Sequence, residues 1–312
     1  MKSIDARVFL LCLAFLVSCD NNGKSDELAT DFQIIVSDLT AGNNGAIMKV
    51  NPTTGTLSVI TEGGRFQTGP ADVVVDKDGM IYTPVNDVPG SPPEIVRVDP
   101  DSGSQVTISA GGYLKTTIDG IAVENDEYLL VTKGEVNGDR IPRLLRVHKI
   151  TGDQTILSQG GLLHNVYDVV VSDDGDIFVL GQGIQTNNNV NYVVPAVFRI
   201  DPLTGDPAEL FKIMDGYFYE IALEPDGSIL IAGSAVLRID PGSGEYEELV
   251  STIENLTFKG ITVSDQGEIF VAQKTSYSCT LGRVVADSGI VRVISYSGQL
   301  DYPSGMDLMY LK

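Results

Sequence analysis

Asp72, Asp168 and Glu220 open three copies of one short apolar phrase, DVVV, DVVV and EIAL, and Asp119 stands one residue ahead of a fourth, GIAV. Side chains at one position of a repeated unit meet when the units surround an axis. Carboxylates gathered in that way raise each other's pKa or recruit a cation. Oxygen donors in this number suit calcium or magnesium. The competing role is structural, each carboxylate accepting hydrogen bonds from the backbone of the next repeat. Lys115, Lys259 and Arg65 lie nearby in sequence and are candidates to neutralise the acids. The remaining copies carry Gly120, Gly260 and Gly305 at the same position.

A second set of residues suits binding rather than catalysis. Tyr113, His164, Tyr167, Tyr217, Tyr219 and Tyr302 fall in or beside the links between repeats, as do Phe66, Phe218 and Phe258. Aromatic rings there either line a recognition surface or pack the links against one another. His148 stands where other copies have a turn former. Asp173, Asp174 and Asp176 resemble a calcium loop, but the same turn recurs elsewhere with different acids, so they read as turn formers. The chain has no Gly-x-Ser-x-Gly elbow, no Cys/His pair and no phosphate-cradling glycine loop. No catalytic residue is assigned.

The elements that would position these groups are legible as repeats. A basic residue, a β-branched residue, a turn and a Gly at the same offset recur at Lys49–Gly55, Arg97–Gly103, Arg146–Gly152, Arg199–Gly205, Arg238–Gly244 and Arg292–Gly298. Copies roughly fifty residues apart indicate a repeat architecture. In RIDPGSG the Asp bonds forward to the backbone, Pro presets φ and Gly takes the left-handed corner, which predicts a hairpin. Asn51, Asp99, Asp201 and Asp240 are therefore turn formers. The interleaved phrase, as in DVVVSDDGDIFVL, is a second hairpin. Each unit is then four strands, the first apolar on both faces and so fully buried. Four-stranded sheets repeated radially form an all-β propeller. The last copy, Gly305-Met306-Asp307-Leu308-Met309, has no partner after it, and FQIIVSD (Phe32–Asp38) has none before it. A six-bladed propeller follows, closed by the C-terminal innermost strand joining the N-terminal blade, over residues 32–312.

The phrase with Gly-Ile-Ala-Val, an acidic turn and Ile-Phe-Val resembles the NHL-repeat propellers, the gluconolactonase and regucalcin group, and TolB-like six-bladed propellers. The resemblance implies the fold. It implies lactone hydrolysis at a divalent metal only for the gluconolactonase group, whose early Glu-Gly-Pro segment this chain lacks. The NHL pattern places Asp at the end of the second strand, and here only Asp38 keeps it. The long segments Val85–Pro93, Lys133–Pro142, Gly181–Pro195 and Gln273–Gly289 fall on one rim, which marks it as the functional face. The short turns on the opposite rim are expected to carry little. The leading expectation is a binding or scaffolding module for a protein or small-molecule ligand. The second is a metal-dependent hydrolase with its site at the channel mouth.

The N-terminus predicts the location. Lys2 and Arg7 precede an apolar run, Val8–Val17, too short to span a bilayer and suited to a signal peptide. Leu16-Val17-Ser18-Cys19 resembles a bacterial lipobox, which implies a lipid on Cys19, a signal peptide over 1–18 and a tether over 19–31. That anchor would hold the protein at a bilayer in the cell envelope, facing periplasm or exterior. Cys279 would remain alone, so no intramolecular disulfide is expected. The formal net charge of −21 repels nucleic acid and anionic lipid and favours cations or basic partners.

Overall fold

The computed structural model describes residues 31–41, 44–86, 91–115, 117–134, 141–251, 254–296 and 300–311. Cys19, the signal peptide and all of the tether but Asp31 lie outside them. Six four-stranded antiparallel sheets are arranged as blades. Blade 1 combines β24 (Pro303–Tyr310) with β1 (Phe32–Asp38), β2 (Ala46–Val50) and β3 (Leu57–Glu62). Blade 2 is β4 (Val74–Val75), β5 (Ile81–Val85), β6 (Glu94–Val98) and β7 (Gln105–Ala110). Blade 3 is β8 (Ile118–Val123), β9 (Tyr128–Lys133), β10 (Arg143–His148) and β11 (Gln154–Gln159). Blade 4 is β12 (Asn165–Val171), β13 (Ile177–Asn187), β14 (Val190–Ile200) and β15 (Pro207–Lys212). Blade 5 is β16 (Phe218–Leu223), β17 (Ile229–Gly233), β18 (Val236–Ile239) and β19 (Tyr246–Val250). Blade 6 is β20 (Thr257–Val263), β21 (Ile269–Lys274), β22 (Cys279–Val285) and β23 (Ile290–Tyr296).

The circle closes as the repeats require. β24 pairs with β1 from Phe32↔Tyr310 to Asp38↔Pro303. Buried Asp38 fastens the joint: its Oδ1 accepts the amides of Thr40 and Ala41, and its Oδ2 accepts those of Asp301 and Tyr302. The core is a set of apolar clusters, each wedged between adjacent blades. Phe270 and Ala272 of blade 6 pack against Phe32, Ile34 and Met306 of blade 1, so the last junction is as dry as the others.

The repeated turn has a packing reason as well as a conformational one. Asp99, Asp201 and Asp240 each accept two backbone amides through Oδ1, and Asn51 does the same. His148 substitutes for them, its Nδ1 accepting the amides of Ile150 and Thr151. The closing Gly205 sits at φ 76°, and a Cβ there would lie 1.7 Å from the carbonyl oxygen of Leu157 in the preceding blade. The glycine is thus the point where one blade's turn docks on its neighbour's outer strand. The basic residue of the motif is fixed by ion pairs to the inner hairpin of its own blade: Arg146 to Glu124, Arg199 to Asp176 and Arg238 to Glu224.

Two expectations need correction. The sixth copy of the motif is not Arg292–Gly298, because Arg292 lies on β23, the outermost strand. The residue in register on the third strand is Arg283, which pairs with Glu268 at 3.2 Å, and its closing glycine is Gly289 at φ 64°. The segment Gln273–Gly289 is accordingly mostly strand rather than loop. Gly181–Pro195 is also not a loop. It is a hairpin arm in which β13 and β14 stay paired to Asn187↔Val190, turning at Asn188 and Asn189 with φ of 49° and 61°.

Candidate functional site

A β-bulge interrupts the innermost strand at the same place in several blades, between Val166 and Asp168, Phe218 and Glu220, Phe258 and Gly260, and Ile118 and Ile121. A bulge turns consecutive side chains out of strict alternation. It sorts the sequence-predicted residues into two groups, one on the side of the blade links and one around a floor of inner-strand carboxylates.

Asp72, Asp168 and Asp307 form most of that floor. Asp72 accepts the amide of Val73 through Oδ1 and that of Ile121, in the next blade, through Oδ2 at 2.9 Å. Asp168 repeats this with Val169 and Ile221, and Asp307 with Leu308 and Val75. Each is a staple between adjacent inner strands. Two glycines in the same ring are required by these staples, since a Cβ on Gly120 would lie 2.4 Å from Oδ1 of Asp168 and one on Gly305 would lie 2.0 Å from Oδ1 of Asp72, whereas one on Gly260 would meet Met306. Burial raises the pKa of Asp168 to about 7 and that of Asp307 to about 6, and it pushes Asp72 well up, with the charge of Asp168 adding to the effect.

Glu220 is different. It is only 8% exposed, and among the described residues its carboxylate accepts no hydrogen bond and joins no ion pair. Burial pushes it well up, followed by the charges of Asp72 and Asp168, while Lys259 acts in the opposite direction. Asp119 stands apart from the floor, accepts the amide of Gly134, and is raised to about 6 by burial.

These four residues do not fit a divalent metal. The oxygens of Asp72 and Asp168 point along amide bonds to neighbouring strands, leaving Glu220 as the free donor of the floor, where calcium or magnesium requires several. Among the described residues no group of three or more His, Cys, Asp or Glu is placed to hold a metal ion. Of the four, Asp72 and Asp168 are inter-blade staples, Asp119 is bonded to Gly134 of its own blade, and Glu220 is neither.

Above the floor, on the rim of the arm and the blade links, is a cluster of tyrosines and lysines. Lys259, at the bulge of β20, holds Nζ 3.4 Å from the ring centre of Tyr219 and 5.8 Å from that of Tyr302. Lys274 lies 4.6 Å from the Tyr302 ring and donates to the carbonyl of Asp301 at 2.9 Å. Burial raises the hydroxyls of Tyr219 and Tyr167, with Tyr302 and Tyr217 adding to the first and Asp119 and Tyr219 to the second. Burial also lowers Lys259, and Lys274 contributes in the same direction. Tyr217 is 75% exposed at the edge of the cluster.

Tyr167, Tyr217, Tyr219 and Tyr302 are thus brought together, whereas Tyr113 and His164 are exposed on other links without a ring contact among the described residues. Phe66, Phe218 and Phe258 are core. From sequence Lys259 reads as a counter-charge, and Lys274 carries no signal of its own. The signal for Lys259 was the column one residue before the inner phrase, which reads Ala71, Asp119, Tyr167, Tyr219, Lys259 and Ser304.

Below the floor the axis opens the other way. A cavity of about 820 Å³ runs from Asp72, Asp168 and Glu220 to the short inner hairpin turns, including Asp173, Asp174 and Asp226. The short-turn rim was expected to carry little, yet it holds the mouth of the axial channel. The short turns leave the axis open there.

No protein-family model matches the chain, and no curated protein matches it. Solved structures do. A chain of the nidogen/laminin complex is similar with a TM-score of 0.69 at 11% identity, over 89% of this chain and 98% of that one. A candidate 6-phosphogluconolactonase from Bacteroides uniformis gives 0.59 at 14% identity, over 90% and 100%. A protein of unknown function from Bacteroides caccae gives 0.62 at 13% identity, over 89% and 99%. At these identities the likeness is one of fold.

Proposed function

We propose that the chain is a binding module, tethered to a cell-envelope membrane by lipid on Cys19, whose arm-bearing rim contacts a protein partner. The observation that carries this reading is the tyrosine–lysine cluster. Tyrosine supplies large contact area at small entropic cost and dominates many interfaces. Stacked lysines on so acidic a molecule favour a partner offering carboxylates beside apolar surface. Tyr192 and Val193 on the arm add exposed apolar area. One fold neighbour comes from a complex between proteins, which is in keeping with this role.

The test is capture of envelope proteins by the immobilised chain, compared with Tyr217→Ala/Tyr219→Ala. The variant is expected to lose a partner that the parent retains, by about tenfold or more in affinity. Equal retention by both forms contradicts the reading. The tether is tested separately: Cys19→Ser should move the protein from the membrane to the soluble fraction, and continued membrane association would overturn the lipid assignment.

A further inference from the structure

The axial channel has features that neither the staples nor the arm-bearing rim explain. Its inner end is Glu220, more than nine-tenths buried, lining the cavity and lacking a hydrogen bond or ion pair among the described residues. The Glu220 oxygens are not sealed in the core but reach the cavity, where a cation or donor can meet them. Its outer end is a second acidic zone. Asp173, Asp174 and Asp226 are exposed on the turns around the mouth. Lys77 also lines the cavity, but its ammonium group is engaged by Asp126.

Between the two ends the lining is mostly apolar. Val171, Leu223, Val263 and Leu308 line it. From Glu220 to Leu223 the strand rises roughly 10 Å at ~3.3 Å per residue. A ligand matching this lining carries positive charge at both ends and has methylenes between. A bare divalent ion does not match, because Asp72, Asp168 and Asp307 hold their oxygens on backbone amides and Glu220 is, among the described residues, the one free carboxylate at the inner end.

We infer that the axial channel binds an aliphatic polyamine, with one ammonium group at Glu220 and another among the carboxylates of the short-turn mouth. The inner ammonium group supplies the hydrogen bonds that Glu220 lacks and offsets the like charges of Asp72 and Asp168. The methylenes lie along the β-branched walls. The outer ammonium group remains at the mouth, where solvent and Asp174 share it. This site opens on the opposite face from the tyrosine–lysine cluster, although the charge of Lys259 reaches Glu220 from that side.

The probe is spermidine, titrated calorimetrically into the full chain and into three variants. Glu220→Gln should weaken binding by at least about tenfold, the loss expected when one partner of a buried charge pair is removed. Asp174→Lys changes an exposed turn position that the fold tolerates, and it should weaken binding several-fold. Glu62→Gln, an equal loss of charge on an outer strand, should leave affinity unchanged. Equal spermidine affinity in all four proteins would show diffuse attraction to an acidic surface and overturn the site. Equally tight binding of magnesium, abolished by Glu220→Gln, would overturn the polyamine assignment.

Discussion

At Asp168 a single side chain spends both oxygens on backbone amides of two strands, Val169 in its own and Ile221 in the next blade. The bonds favour the charged form, yet burial outweighs them and holds the pKa near 7. Asp119 and Asp307 are raised to about 6 in the same way. These groups bind protons more tightly folded than unfolded, so stability falls as the pH rises from about 4 through about 7. The turn acids Asp99, Asp201 and Asp240 are shifted down by backbone amides, and their contribution is lost only at lower pH, as it falls through their folded values. The melting temperature should therefore be higher at pH 5 than at pH 7.5, by roughly 5 °C, and Asp168→Asn should flatten that slope. A melting temperature that rises towards pH 7.5 would contradict the assignment. Asp72, Asp168 and Glu220 were legible as one column, because the inner phrase aligns without gaps, but Asp307, two residues beyond Gly305 of that column, was not. The role of the column was not either, because choosing between staple and metal site depends on where the neighbouring amides point.

The hairpin with its closing glycine is the element on which the ring is built. Its chemistry was readable in RIDPGSG, while its second duty, docking on the preceding blade, is a contact between strands distant in sequence. Gly205 and Gly175 separate the two duties. Both have positive φ, 76° and 84°, but a Cβ on Gly205 meets a backbone oxygen and one on Gly175 meets nothing within 4 Å. Gly205→Ala should cost about 3 kcal/mol and lower the melting temperature by roughly 5–10 °C. Gly175→Asn should cost less than about 1 kcal/mol, since Asn enters the left-handed region readily. Equal losses in thermal denaturation would refute the docking role. The misplaced sixth copy has a similar origin. Arg283–Gly289 and Arg292–Gly298 share the basic residue, the β-branched residue and the glycine offset, and neither has the Asp-Pro turn. The strand register and the ion pair of Arg283 with Glu268 separate them, and both are contacts that sequence does not display.

For the whole molecule, blade number and closure were legible because an inner phrase without a partner at each end of the chain leaves one way to complete the ring, which β24 and β1 do. The direction in which the axis opens was not legible. It depends on how far the inner strands converge at the bulges, and that is set by packing around the circle. The molecule consequently has two unlike faces, one with tyrosines, lysines and a projecting hairpin, the other with an acidic channel mouth. On our proposal the first of these faces carries the protein partner. The decisive measurement is hydrogen exchange of the partner-bound chain against the free chain. Protection is expected in the β13–β14 arm and the segments holding Tyr217, Tyr219 and Tyr302, with the turns around Asp174 and Asp226 unchanged. Protection confined to those short turns, with the arm exchanging as in the free chain, would contradict it.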